Sequence, residues 1–161
     1  MSCKRIVPGC LLVLVLICQA IPAGNWPRFR GPNGAGIASD QDIPDQFDTQ
    51  NGILWKVAIP GPGNSSPIVW ENRLFVQSTT EDGKARQLLC LDAASGKTLW
   101  SRGIPASKAH THKKNTLASS TPATDGQVVV TAFLDGKEII LAAFDFEGKK
   151  LWDKNLGAFT S

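Results

Sequence analysis

Two imidazoles spaced by one residue, in Ala109-His110-Thr111-His112-Lys113-Lys114, have the most direct claim to chemistry in this chain. On an extended segment positions i and i+2 point to one face, a geometry that a metal ion can use. A metal would need a third ligand, and no further His, Cys or carboxylate stands nearby in sequence. A polar connecting loop therefore outweighs a metal site, and contact with a partner is the intermediate reading, because loops carry recognition. Ser65, Ser66, Ser119 and Ser120 raise the question of a nucleophile. None sits in a Gly-x-Ser-x-Gly elbow, and their recurrence in two similar contexts marks them as architectural. Cys90 follows Leu88-Leu89 in an apolar run and reads as a small buried hydrophobe. Asp92 and Asp145 stand just before glycine-bearing turns and are turn residues before they are acids. These residues supply no catalytic, cofactor-binding or metal-binding set.

The elements that would position such residues lie behind a leader. Residues 1–23 open with Lys4 and Arg5, run apolar from Leu11 to Cys18 and end in small residues, the pattern of a secretory signal. The apolar run is well short of the roughly 20 residues that cross a bilayer, and Pro8-Gly9 blocks its extension. Cleavage after Ala23 is preferred to cleavage after Ala20, and no transmembrane anchor is expected afterwards. A lipidated cysteine is the minority reading, since Cys18 follows Ile17 and Cys10 has almost no apolar run ahead of it. Of the four cysteines only Cys90 lies beyond the leader, so no intrachain disulfide is expected even in an oxidising periplasmic or extracellular compartment. Losing Lys4 and Arg5 from 17 basic residues leaves 15 against 14 acidic ones. That near-neutral balance argues against nucleic acid as a partner.

Residues 24–52 are rich in Gly, Pro, Asn and Asp and read as an extended entry segment. From residue 53 the chain becomes a series of short β-type runs: Ile53–Ile59, Ser66–Trp70, Arg73–Thr79, Gln87–Leu91, Thr98–Arg102, Ser120–Thr124, Gln127–Phe133, Glu138–Phe144 and Lys150–Leu156. Pairs such as Asp82-Gly83, Ser95-Gly96, Asp125-Gly126 and Asp135-Gly136 separate them as hairpin turns do. The series repeats: Ser66-Pro67 through Val76 match Thr121-Pro122 through Val130, and Leu91-Asp92 through Trp100 match Phe144-Asp145 through Trp152. Each unit of about 50 residues holds four strands, the arithmetic of a propeller blade. The expected class is all-β, with an orphan strand at 53–59, one blade over 66–102 and a second over 120–156.

Leu91-Asp92-Ala93-Ala94-Ser95-Gly96-Lys97-Thr98-Leu99-Trp100 resembles the tryptophan-docking repeat of PQQ-like, quinoprotein-type propellers, and Asp145, Gly148 and Trp152 mark a shortened second copy. Asn25 through Pro32 and Gly63 through Pro67 resemble the start of exported, planctomycete-type members, with BamB-like repeats. The resemblance implies a ring of seven or eight blades, of which this chain is an N-terminal portion. It implies docking roles for Trp55, Trp100 and Trp152, whereas Trp26 and Trp70 lie outside the pattern and are the better candidates for exposed aromatic contact. Quinone-dependent relatives hold PQQ with calcium and a vicinal disulfide on the propeller axis, and this chain has no adjacent cysteine pair. No cofactor is expected for the chain alone. The favoured expectation is an exported, non-catalytic protein-binding scaffold whose partner is another protein or the remainder of the propeller. A fragment of a quinoprotein oxidoreductase is the alternative, and carbohydrate binding a third possibility resting on aromatics.

Overall fold

The computed structural model describes residues 24–39, 44–107 and 111–158; the leader at 1–23 and His110 lie outside them. The Val-, Ile-, Leu- and Phe-rich runs pair into two antiparallel sheets of four strands, each a meander in chain order. The first sheet holds β1 (Ile68–Trp70), β2 (Arg73–Thr79), β3 (Ala85–Asp92) and β4 (Thr98–Pro105). The second holds β5 (Ala123–Thr124), β6 (Val128–Asp135), β7 (Glu138–Asp145) and β8 (Lys150–Ala158). No helix among the described residues is long and apolar enough to cross a membrane.

The internal repeat extends to the register. Cys90 pairs with Trp100 beside a bulge between Cys90 and Leu91, and Ala143 pairs with Trp152 beside a bulge between Ala143 and Phe144. An extra residue at that point twists the hairpin and re-aims its outer strand. The inner strand β5 is shorter than the run from Ser120 predicts, since the Ser120 hydroxyl itself donates to the Ala132 carbonyl.

Alternation along the strands gives each sheet two faces. Ile68, Phe75, Leu88, Cys90 and Trp100 of the first sheet meet Val129, Ala142 and Phe144 of the second in one buried cluster. Phe75 stands edge-on to Phe146, with ring centroids 5.2 Å apart. Blade-on-blade contact of this kind, with nothing among the described residues closing the ring, is that of an open, incomplete propeller.

Two segments differ from the expectations. Residues 53–59 enter no ladder, and Leu54 is 91% exposed. An orphan fourth strand needs the other three strands of its blade, and the described residues do not supply them. The entry segment is more structured than its composition implies. Trp26 exchanges both main-chain hydrogen bonds with Val69, at 2.7 and 3.0 Å, adding a bridge to the free edge of β1. Pro27 then accepts from Thr124 N–H at 2.9 Å, so the segment ties the inner strands of both sheets together.

Candidate functional site

The hairpin turn between β7 and β8 is built by Asp145. Its Oδ1 accepts from the N–H groups of Glu147 and Lys149, and Gly148 takes a φ of 81° that residues with a Cβ rarely adopt. The first sheet grips this turn from below. Trp100 Nε1 and Arg73 Nη1 both donate to the Phe146 carbonyl at 2.8 Å, and Arg102 Nε donates to the Gly148 carbonyl at 2.6 Å. A Cβ on Gly148 would lie 2.7 Å from the Trp100 ring, so the glycine lets the indole lie flat beneath the turn. The Arg102 guanidinium sits 5.6 Å from the centre of the same ring, within cation–π reach.

The turn between β3 and β4 has the same construction. Asp92 Oδ1 accepts from Ser95 N–H and Ser95 hydroxyl, and the Asn72 amide donates to Oδ2. These donors, the Ser95 hydroxyl foremost, hold the Asp92 pKa below the ordinary 3.8. Gly96 has a φ of 72°, and Trp55 lies beneath it: Trp55 Nε1 donates to the Ala93 carbonyl at 2.9 Å. Trp55 therefore stands to the first sheet as Trp100 stands to the second, although its own segment forms no strand.

Trp152 occupies the third equivalent position and meets no turn among the described residues. Its ring is 45% exposed, and its indole N–H has no hydrogen-bond partner among the described residues. Pairing places Val130, Ala132 and Leu134 of β6, Ile139, Leu141 and Ala143 of β7, and Trp152 and Lys154 of β8 on one face, away from the first sheet. This face is largely apolar; it is half-buried along β6 and β7, with Ala143 fully buried, and opens at β8, where Leu156 is 54% exposed.

The other sequence candidates divide differently. Trp70 is half-buried over Gly126, where a Cβ would come within 2.4 Å of the ring, and Trp26 packs over Gly31. Both touch turns of this chain. His112 is exposed, and its Nδ1 accepts from Lys114 N–H at 3.3 Å. It borders a cavity of about 320 Å³ shared with Thr116, Phe133, Leu134 and Ile139. Ser65 accepts from Gln77 N–H at 3.2 Å, Ser119 donates to the Thr116 carbonyl, and these hydroxyls hold strands and loops in place. No three His, Cys, Asp or Glu side chains gather among the described residues. Cys90 is fully buried with its thiol pKa pushed up by desolvation.

Three arginines outside the repeat motif add polar links between the sheets. Arg73 and Arg102 grip the second turn. Arg86 is fully buried, and its guanidinium donates to the carbonyls of Leu134, Ser107 and Gly83. Burial lowers its pKa against the opposing pull of Asp135. Sequence reasoning missed all three, although a signal was present: Arg86 shares strand parity with Leu88 and Cys90, and Arg73 with Phe75, so both point inward.

A family model described as "Outer membrane protein assembly factor BamB" matches residues 46–161. Among solved structures, that of BamB from Moraxella catarrhalis is similar at 15% identity and a TM-score of 0.35, over 66% of this chain. The chain spans 44% of that structure's length. No curated protein matches the chain.

Proposed function

This chain belongs to the family of the outer membrane protein assembly factor BamB, and from that premise we propose that it is an exported, non-catalytic protein-binding module of the cell envelope. The observation that carries the reading is the apolar face of the second sheet where it opens along the edge strand β8, at Trp152 and Leu156, with the Trp152 indole N–H unused among the described residues. Exposed aromatic side chains with a free polar handle suit protein interfaces, where one end is buried and the other finds an acceptor. The secretory pattern of residues 1–23 and the envelope setting named by the family's description support export. The near-equal count of acidic and basic residues beyond the leader fits recognition by shape and apolar contact.

Site-specific photo-crosslinking tests this reading. A photoreactive residue at position 156, on the same face of β8 as Trp152, is expected to capture a discrete protein in the envelope fraction of cells that produce the full chain. The same residue at exposed Lys137, in the β6–β7 turn, is expected to capture none. Equal labelling from both positions, or none from 156, contradicts it.

A further inference from the structure

We propose that the free edge of the two first strands, β1 and β5, is a strand-addition groove for an extended Asn-aromatic-Pro peptide. Residues 25–36 are its resident occupant, a strap that excludes any other chain while it is seated. This edge is separate from β8 and independent of the protein-binding reading above.

β1 and β5 open their meanders and are only three and two residues long. Within its sheet each pairs on one side, and in a propeller the other edge of a blade's first strand faces the centre of the ring. Such an edge presents main-chain donors and acceptors that invite another strand. Residues 25–27 meet those groups. Trp26 N–H donates to the Val69 carbonyl, Val69 N–H to that of Trp26, and Thr124 N–H to that of Pro27. Glu71 N–H donates to Asn25 Oδ1 at 2.7 Å, which fixes the amide side chain at the end of β1. Pro27 suits the crossing from β1 to β5, because it offers a carbonyl and leaves no N–H unmet.

The occupant has the character of a ligand because it is folded on itself. Arg28 Nε and Nη2 donate to the carbonyls of Gly31 and Pro32, Gly31 N–H donates to the Arg28 carbonyl, and Gly36 N–H to that of Arg30. Arg30, at a φ of 64°, and Gly31, at 77°, reverse the chain. The Trp26 ring then covers the strap's own turn, so closely that a Cβ on Gly31 would lie 2.8 Å from it. Other apolar side chains of the segment stay outside: Phe29 is 61% and Ile37 70% exposed. A segment joined to the sheets by main-chain pairing, with its large side chains left in water, belongs to the part of a structure that opens most readily. The covalent tether brings it back at high effective concentration, so a free peptide gains the groove only when the strap is weakened.

Backbone amide exchange of the full chain, with a synthetic peptide of residues 24–38 as the probe, tests this. In the wild type, the Val69 and Thr124 amides are expected to be protected and unaffected by the peptide. Trp26→Pro removes the N–H that the Val69 carbonyl accepts and the ring that covers Gly31. These two amides should then lose protection while those of β2, β3, β6 and β7 keep theirs, and the peptide should restore it. A strap seated about 90% of the time or more weakens the peptide's apparent affinity for the wild type at least about tenfold relative to the variant. A peptide carrying the same Trp→Pro change should restore nothing. N25A/W26G, which keeps every main-chain donor, is the second variant in case two successive prolines disturb the neighbouring sheet. Protection of Val69 and Thr124 that persists in both variants, equal binding of the peptide to wild type and variant, or restoration by the altered peptide overturns the proposal. Loss of protection throughout both sheets in both variants overturns it as well, since the strap is then part of the fold and not a ligand.

Discussion

Trp100 and Trp152 occupy equivalent registers, yet one is 8% and the other 45% exposed, so the same substitution should separate them. Trp100→Ala removes a buried ring and leaves the Phe146 carbonyl with one donor fewer; it should destabilise the fold by about 3–5 kcal/mol. Trp152→Ala should cost within about 0.5 kcal/mol, as exposed substitutions do. Urea unfolding of the two variants checks both. Asp92 gives the pH dependence. Its native pKa lies below the ordinary 3.8, so its ionised form stabilises the fold at pH values above that, and this contribution is lost as pH falls through the lower native value. Asp48, Asp82 and Asp125 shift the same way through hydrogen bonds at their own turns. The unfolding midpoint should therefore be flat above about pH 5 and drop below it, with a shallower drop in Asp92→Asn. Buried Cys90 should resist a thiol reagent until the chain is unfolded, at which point it reacts.

At the scale of the element, the turns decide how the sheets meet. Gly148→Ala has to accommodate both a φ of 81° and a Cβ 2.7 Å from the Trp100 ring. Gly136→Ala faces a φ of 60° but nothing within 4 Å. The first should cost about 1–3 kcal/mol more than the second, because only the first also displaces a buried neighbour. Arg86→Met tests the polar link: it leaves the Leu134 and Ser107 carbonyls short of donors and should cost about 2–3 kcal/mol, despite similar side-chain length. The strands and turns were legible because alternation of Val, Ile and Leu with Asp-Gly punctuation repeats at fixed spacing. The Asp92 and Asp145 turns were legible for the same reason. Arg86 was passed over: its parity with Leu88 and Cys90 places it on the inner face, but a buried role for a charged side chain needs the carbonyls opposite it to be known. Those of Leu134 and Ser107 are 48 and 21 residues away. The bridge from Trp26 to Val69 was hidden likewise, because two main-chain hydrogen bonds leave no side-chain period.

For the whole molecule, the repeat indicated what kind of structure this is, but not which tryptophans are occupied. Trp26 and Trp70, outside the repeat pattern, lie over glycines of this chain, and Trp152, within the pattern, is open. Occupancy depends on whether a partner turn is present, which a single repeat unit cannot reveal. Tryptophans at equivalent positions are engaged beneath turns in the first two cases and open in the third. Hydrogen exchange of the indole N–H groups, resolved by ¹⁵N NMR in the purified full chain and assigned by Trp→Phe variants, tests it most directly. Slow exchange is expected for Trp55 and Trp100 and fast exchange for Trp152. Protection of Trp152 equal to that of Trp100, or exchange of Trp100 as fast as that of Trp152, would contradict it.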